Sequence, residues 1–458
     1  MPPENWKQLV CHLTERFPWL GNRIDQQAIM LKMDPEPPAD PPSGLAAASL
    51  LGPATPQSEL PAESQPELPP TLQPGFSADP LWEQLPLVTA SVLETHYYTQ
   101  DNPLAEQPDM NCYRTSGTSS GRRKAIFYSE RDEEHYLRVK LDVFRSILEP
   151  YGYRTAVSDM GTGHAEATAA AVFRSLGMSV ETLPYQLPIR DHIELLERKR
   201  PEVLYTMPSI LDRILAAAEQ PEALGICHVV LVGEIASPGW RRRVAERLGI
   251  PERHIADTFG SIEIGTLAHY NPELNRYVLA DGLFAEGVPA EALGEGFEPL
   301  PEGEAVLVLT SAIRDSFPAL RYVTYDVIRD LQTQHLNGRP RQTFASIVKR
   351  IGPDLKHGEK ISIYDIEDAV SRHLPDAVIR IHVAGNALRV LVDSGSATDK
   401  TLAQIRDDIE HRNPDIGGMI RSGILNGIEV VPDSFSKSAP GSVMKQKKIY
   451  YEQRGDGA

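Results

Sequence analysis

Cysteine is scarce in this sequence. Only three occur in 458 residues, at Cys11, Cys112 and Cys227, far apart and without a C-x-x-C pair. This spacing argues against a disulfide framework and against a thiolate metal site. A chain with neither fits a reducing compartment, so we expect a cytoplasmic protein.

Long apolar runs and an excess of basic residues are also absent. No stretch approaches the roughly 20 apolar residues that span a bilayer, and the opening MPPENWKQLVCHL lacks the basic-then-apolar pattern of a secretory leader. Lysine and arginine number 46 against 63 aspartates and glutamates, a net charge of −17. Because an acidic surface repels nucleic acid and anionic membranes, we expect neither as a partner.

Proline is present but unevenly distributed. Residues 34–75 concentrate Pro, Ala, Ser and Glu, a composition that cannot bury a core and predicts a linker or disordered insert. Residues 1–33 include NWKQLVCHLTERFPWL, whose apolar spacing predicts a helical segment. We expect a large core domain over 76–350 and a smaller domain over 351–458.

Strand-like and helix-like stretches alternate from about residue 80 to 265, as in RRKAIFYS followed by SERDEEHYLRVKLDVFRSILEPYG. Such alternation predicts right-handed βαβ units around a largely parallel sheet, an α/β fold. Short strands and turn residues over 275–330 predict a small β subdomain. After about 350 the order helix, strand, strand, helix, strand predicts a compact α+β unit.

One loop is rich in Ser, Thr and Gly and ends in basic residues. It is TSGTSSGRRK, Thr115 to Lys124. Such loops bring backbone N–H groups close to an anion, and phosphate is the first expectation. A Walker loop is excluded because Gly117 and Gly121 are four apart and the basic run leads into a strand. A flexible surface turn is the alternative for this stretch alone.

Four further stretches follow in order. They are LVGEIASPGW, IADTFGSIEIG, FPALRYVTYDVIRDL, and a C-terminal pair comprising VKRIGPDLKHGEKISIYDIE and SKSAPGSVMKQKKIYY. In the first, Gly233 and Glu234 lie just past a strand end, where ligands bind in parallel sheets.

Taken together, these stretches resemble the adenylate-forming superfamily, nearest to the phenylacetate–coenzyme A ligases. FGSIE resembles the family's aromatic-Gly-x-[Ser/Thr]-Glu stretch, and RYVTYD resembles RY-x-TGD with Tyr325 in place of Gly. The resemblance covers roughly 80–458. It implies a large N-terminal domain with βαβ-built sheets and a small β subdomain, and a mobile α+β C-terminal lid. It also implies ATP and Mg²⁺, with coenzyme A as co-substrate.

The resemblance implies a set of nucleotide-binding residues. Those in the loop are Thr115, Ser116, Gly117, Thr118, Ser119 and Gly121, with Lys124 as a catalytic residue at its end. Those elsewhere are Gly233, Glu234, Asp257, Thr258, Phe259, Gly260, Ser261, Asp326 and Arg350.

The resemblance implies a specific chemical role for four residues. Glu263 is expected to be catalytic as the Mg²⁺ ligand, since Mg²⁺ takes one or two protein carboxylates. Asp326 is expected to accept the ribose hydroxyls, Phe259 to stack on adenine and Arg350 to lie near the ribose. The alternatives are a solvated glutamate, a turn aspartate, a core aromatic and a surface arginine.

The acid pocket is expected to involve His164 and Gly163 in MGTGH, Met207 in TMPSIL, and Gly233. A structural role is the alternative for the lone histidine.

The C-terminal lid is expected to have its hinge at Asp354. Its catalytic lysine is expected at Lys445, after a Pro–Gly pair, with Lys437, Lys447 and Lys448 as alternatives. A basic tail without catalytic function is the further alternative.

The function implied is activation of a carboxylic acid, expected to be aromatic, as an acyl-adenylate with release of pyrophosphate. Transfer to coenzyme A follows. Alternatives are a carrier-protein thiol or an amine as acceptor, another oxyacid as substrate, or a nucleotide-binding regulator without catalysis. A homodimer is left open.

Overall fold

The computed structural model describes residues 5–24, 80–114, 124–160, 164–184, 187–294, 296–336, 338–352, 363–384, 387–412, 416, 420–421, 425–433 and 449–452. Contacts divide the chain into two compact units, Met1–Pro86 and Leu87–Ala458. Within the described residues, none of the helices has both the length and the apolar character needed to cross a membrane.

The described residues of the first unit form helices α1 (Trp6–Arg16), α2 (Pro18–Gly21) and α3 (Pro80–Gln84). Trp6 and Trp82 are both buried, and their rings meet edge to face with centroids 5.6 Å apart. The predicted N-terminal helix is therefore present. The predicted insert at 34–75 lies outside the described residues.

The second unit begins with a helix, a hairpin and a long helix. These are α4 (Ala90–His96), β1 (Met110–Arg114), β2 (Ala125–Ser129) and α5 (Glu130–Leu148). A capping box begins α5, since Ser129 and Asp132 each bond the other's backbone N–H.

Strands and helices then alternate. They are β3 (Thr155–Ser158), α6 (His164–Ser175), β4 (Ser179–Thr182), α7 (Ile189–Lys199), β5 (Val203–Thr206), α8 (Pro208–Ala217), β6 (His228–Leu231), α9 (Pro238–Leu248) and β7 (Ile255–Ser261). Strands β3 to β7 pair in parallel. The predicted parallel sheet built from βαβ units is confirmed.

Antiparallel strands follow. They are β8 (Gly265–Asn271), β9 (Arg276–Leu279), β10 (Leu283–Val288), β11 (Glu304–Ser311), β12 (Tyr322–Arg329), β13 (Gln332–Leu336), β14 (Arg339–Phe344) and β15 (Ser346–Arg350). Strands β8, β9, β14 and β13 extend the parallel sheet to nine strands, while β10-β11-β12-β15 form a separate sheet. The small β subdomain is therefore present, but β9 lies in the large sheet instead.

The C-terminal part is a compact α+β unit, as predicted. It contains α10 (Ile363–His373), β16 (Val378–Ala384), β17 (Ala387–Asp393), α11 (Asp399–Arg412), β18 (Ile428–Pro432) and β19 (Ile449–Glu452). Its four strands are ordered β18-β17-β16-β19. Its own core includes Ile366, Ile381, Val390 and Ile405.

Helices α9 and α10 pack closely at Gly239. A methyl group on Gly239 would overlap the Ser371 hydroxyl, so the backbones approach each other where only glycine fits. Nearby, Arg242 lies 3.9 Å from the Asp368 carboxylate. This contact joins the C-terminal unit to the large domain.

Candidate active site

The turn between β7 and β8 carries Glu263. Ser261 pairs with Gly265 across the hairpin, and the Ser261 hydroxyl accepts a hydrogen bond from the Ile264 N–H at 3.3 Å. Gly265 has φ +110°, and a methyl group there would lie 2.7 Å from the Tyr136 ring. Both facts require glycine, so the chain turns tightly with Glu263 in the turn.

Two side chains hold this turn through its backbone. The Tyr128 hydroxyl donates to the Ile262 carbonyl at 2.8 Å, and Arg314 Nε donates to the Glu263 carbonyl at 3.0 Å. The Glu263 carboxylate itself makes no hydrogen bond or ion pair with another described residue. It is half-buried, and a positioned carboxylate of this kind suits a hard cation such as Mg²⁺.

Arg314 is 3% exposed and has several partners. It pairs with Asp132 at 2.5 Å, donates to the Phe127 carbonyl at 2.7 Å and lies 3.7 Å from the centroid of the Tyr128 ring. Burial by itself raises the pKa of Asp132, but Arg314 and backbone donors such as the Asp315 N–H outweigh it and hold the pKa below its ordinary value. This network anchors the Glu263 turn.

Asp326 on β12 lies directly opposite Arg350 on β15. Arg350 Nη1 is 3.5 Å from Asp326 Oδ1, and the arginine side chain is 55% exposed. Burial raises the pKa of Asp326, and Arg350 opposes that effect. The pair therefore presents a carboxylate and an open guanidinium side by side, as the ribose-site prediction requires.

Two tyrosines mark where these groups meet. Burial raises the pKa of both Tyr98 and Tyr322, the nearby charge of Glu263 raises it further, and Arg350 lowers it. Charges shift a pKa mainly when they are close to the titrating group. Glu263, Arg350 and these two tyrosines therefore lie in one region of the molecule.

Lys124 lies in the same region. Its Nζ is 4.8 Å from the centroid of the Tyr98 ring and 3.8 Å from the Glu94 carboxylate. The structure thus places this predicted catalytic lysine beside the tyrosine that is influenced by both Glu263 and Arg350.

Phe259 is half-buried near the end of β7. Its ring meets that of Phe344 edge to face, with centroids 6.4 Å apart, and the adjacent Gly260 is exposed. An aromatic face beside open backbone suits the stacking of a base.

Asp257 and Thr258 are buried in the interior. The Tyr277 hydroxyl donates to the Asp257 carboxylate, whose pKa burial raises to about 6. The Thr258 hydroxyl donates to the Leu231 carbonyl at 2.5 Å. Both side chains therefore have structural partners, and their contact with a nucleotide stays a prediction.

Gly233 and Glu234 follow β6, as predicted. Gly233 has φ +81°, a conformation that glycine adopts without strain. The Glu234 carboxylate accepts from the N–H and the hydroxyl of Ser209, both at 2.8 Å. It thereby caps α8, whose own N-cap residue Met207 supplies no side-chain cap.

Tyr325 occupies the position where the resemblance expects glycine. Its φ is +64°, which glycine favours and a tyrosine adopts only with strain. The Tyr325 hydroxyl accepts from the Ala90 N–H at 3.1 Å, and the ring packs 6.2 Å from that of Phe297. The ring thus belongs to the core of the small β subdomain.

Several predicted residues lie outside the described part of the chain. They are Thr115, Ser116, Gly117, Thr118, Ser119, Gly121, Gly163, Asp354, Lys437, Lys445, Lys447 and Lys448. His164 is described only as the first residue of α6. The roles given to all of these stay predictions.

Sequence reasoning missed three buried features near this site. One is the Asp132–Arg314 pair. Another is Asp159, just past β3, whose carboxylate lies 3.0 Å from His192 Nδ1 with both side chains buried. The third is Lys140, 2% exposed on α5. A signal for it existed, because Lys140 precedes Val143 and Phe144 at helical spacing and so shares their apolar face.

Comparisons with known proteins identify the family of the chain. Over 351 residues the chain is 37% identical to fumarate–(S)-2,3-diaminopropanoate ligase of Enterobacter agglomerans, covering 76% of this chain and 86% of that protein. The chain belongs to the adenylate-forming ligases. The family description "Fumarate–diaminopropanoate ligase C-terminal domain" matches residues 356–436.

Solved structures support the fold of this adenylate-forming ligase. Two crystal structures of 2-hydroxyisobutyryl-CoA ligase in the postadenylation state align at a TM-score of 0.59 and 18% identity. The alignment with the complex of R3-HIB-AMP covers 80% of both chains. The alignment with the complex of 2-HIB-AMP covers 81% of both chains. The large N-terminal domain and the C-terminal domain are those of this superfamily.

The enzyme class predicted from the sequence is confirmed: the chain is an ATP-dependent ligase that forms an acyl-adenylate. The phenylacetate–coenzyme A ligase branch and coenzyme A itself are not confirmed, since the 37% identical relative joins another acid to another acceptor.

Proposed function

We propose that this ligase activates a small aliphatic acid as its acyl-adenylate and transfers the acyl group to the amine of an amino acid, forming an amide. The observation that carries this proposal is the 37% identity over 86% of a ligase whose name joins fumarate to (S)-2,3-diaminopropanoate. The match of residues 356–436 to the C-terminal domain of such ligases supports the same acceptor class.

In the adenylation step, the acid carboxylate attacks the α-phosphate and pyrophosphate leaves. Asp326 accepts the ribose hydroxyls and Arg350 lies beside it, which fixes the nucleotide. Lys124 and the arginines that precede it neutralise phosphate charge. Glu263 would hold Mg²⁺, which would supply further neutralisation of the phosphate charge.

In the transfer step, the amine nitrogen attacks the acyl carbonyl carbon. A carbon–nitrogen bond forms, the bond from carbon to the AMP oxygen breaks, and the amine gives up a proton. The C-terminal domain, with its predicted hinge at Asp354, presents the acceptor after adenylation is complete.

A panel of acids tests this proposal. Exchange of labelled pyrophosphate into ATP is measured with fumarate, succinate, crotonate, phenylacetate and benzoate. Products are then identified by mass spectrometry with 2,3-diaminopropanoate, alanine or coenzyme A as acceptor. We expect exchange with a small aliphatic acid and an amide product.

Three results would contradict the proposal in different ways. If only aromatic acids support exchange, the substrate is an aromatic acid, as first expected from the sequence. A thioester in place of an amide would make coenzyme A or a carrier thiol the acceptor. Nucleotide binding without exchange for any acid would indicate a regulator.

A further inference from the structure

Lys140 is a buried cation with no anionic partner among the residues that the structure describes. It lies on α5 with 2% of its surface exposed, and its ammonium donates to the Thr168 hydroxyl at 3.1 Å. No carboxylate of a described residue lies within ion-pair distance of it. Burial lowers the pKa of Lys140 to about 7.

Aromatic rings surround this ammonium. It lies 5.1 Å from the centroid of Tyr205 and 5.7 Å from those of Tyr136 and Phe144. Ring faces attract a cation, but they do not replace the carboxylate that buried lysines usually have. A leucine or methionine would fill the same apolar space without the free-energy cost of desolvating a charge. A lysine at this position therefore indicates a use for its charge.

The location connects Lys140 to the predicted acid pocket. Its partner Thr168 lies one turn after His164 on α6. Its nearest ring, Tyr205, lies on β5 two residues before Met207. Both His164 and Met207 are residues expected to line that pocket.

The location also connects Lys140 to the Glu263 turn. The Tyr136 ring packs against Gly265, two residues after Glu263. The Thr168 hydroxyl, which accepts from Lys140, also hydrogen-bonds the Tyr136 phenol. One continuous set of contacts therefore runs from the turn to the buried ammonium.

We propose that Lys140, together with Thr168, binds the distal carboxylate of a dicarboxylic acid whose other carboxylate is adenylated. The inference rests on the proposed function and deepens it, because it names a residue that selects the acid. A carboxylate ligand supplies the anion that the described residues lack, and it keeps the lysine protonated.

Selectivity follows from the same chemistry. An acid with a methyl group in place of the second carboxylate leaves a buried ammonium unpaired. Sites built to bond a polar group reject analogues lacking it by about 10⁴–10⁵ in favourable cases. We therefore expect strong preference for fumarate over crotonate, which differs only by carboxylate against methyl.

The test compares wild type with Lys140→Met, which keeps the length and removes the charge. Lys199→Met is the matched control, because Lys199 is exposed and pairs with Glu181 at the surface. In pyrophosphate exchange, we expect Lys140→Met to lower kcat/KM for fumarate by about 10²-fold or more, mostly through KM. The value for crotonate should be unchanged or higher, and Lys199→Met should match wild type with both acids.

A fall with both acids, or with neither, would overturn the role of Lys140. If wild type exchanges pyrophosphate with crotonate but not with fumarate, the proposed function stands and this inference fails. If no acid supports exchange, the proposed function fails and calorimetric titration with fumarate in the presence of a non-hydrolysable ATP analogue decides the inference. Fumarate binding that Lys140→Met alone abolishes supports it; equal binding, or none in any variant, overturns it.

Discussion

Two buried cations, Arg314 and Lys140, contact tyrosines that pack near the Glu263 turn, and they differ in what surrounds them. Arg314 has a carboxylate partner in Asp132, carbonyl acceptors and a ring face. Lys140 has one hydroxyl and three rings. Arg314 is paired with a carboxylate of the protein. Among the described residues Lys140 has no such carboxylate, and the dicarboxylic acid proposed above would supply one.

The glutamates show the same contrast. The Glu234 carboxylate is bonded to Ser209 at the start of α8, while the Glu263 carboxylate has no such partner among the described residues. Both glutamates follow strands of the same sheet, so strand position alone does not distinguish their roles. The hydrogen bonding of the carboxylate does distinguish them.

The largest expected effect is on stability and comes from breaking the satisfied pair. Arg314→Met leaves Asp132 buried without its counter-charge, and we expect a loss of about 3–5 kcal/mol in the free energy of unfolding. Urea unfolding followed by circular dichroism measures it. The double variant Arg314→Met/Asp132→Leu should recover part of the loss, and a double variant no better than the single one would show that the pair is not the source.

Lys445→Ala tests charge supplied by the C-terminal domain. Because negative charge builds on the carboxylate and α-phosphate, we expect adenylation to fall by about 10²–10³, or about 3–4 kcal/mol. Transfer from a supplied acyl-adenylate should persist, and Lys437→Ala and Lys447→Ala should keep both steps. Single-turnover assays of each step measure this; loss in one of the controls instead would relocate the catalytic lysine.

Glu263→Gln tests the unbonded carboxylate. The amide keeps the shape but loses the charge that Mg²⁺ needs, so we expect at least a roughly 10²-fold fall in pyrophosphate exchange, or about 2.7 kcal/mol. Thermal unfolding should be unchanged, because the turn is held through its backbone. The exposed Glu181→Gln is the control, and undiminished exchange at low Mg²⁺ would point to another carboxylate.

The smallest effect concerns Lys140 and pH. Its pKa is about 7 in the folded chain against 10.5 as the ordinary value, so between these values the unfolded chain binds more protons and stability rises with pH. Below about pH 7 the folded chain carries the full penalty of the buried charge. Lys140→Met should therefore be more stable than wild type, by about 1–2 kcal/mol at pH 6.5, and the difference should shrink toward pH 9.5.

Urea unfolding of both proteins at the two pH values measures that difference. Within the described part of the chain, the titratable groups facing Lys140 are Tyr136 and Tyr205, and burial raises the pKa of both, so they stay neutral across the window. A difference that grows with pH would contradict the assignment of the lowered pKa to Lys140.

The fold was largely predictable because its signals are local. Strand and helix periodicities alternate between about 80 and 265, and turn residues separate them, so the parallel sheet follows from short windows of sequence. The assignment of β9 to the large sheet was not predictable. It depends on pairing with β8 and β14, and β14 lies more than 60 residues away.

The site was predictable only where a motif carried it. Glu263, Asp326 and Arg350 came from the resemblance, and the structure brings them together. Arg314 and Asp132 are 182 residues apart and neither lies in a motif, so only the tertiary structure reveals the pair. Lys140 shares an apolar helix face, but the sequence of that helix does not show that none of the described residues packed against it is an acid.

The contact at Gly239 has a consequence for how the C-terminal domain is seated. A methyl group at residue 239 would overlap Ser371, so α9 and α10 can approach this closely only where that residue has no side chain. Any larger residue would hold the two helices apart and disfavour this placement of the domain. A residue without any reactive group thus limits how the two parts of the enzyme pack together.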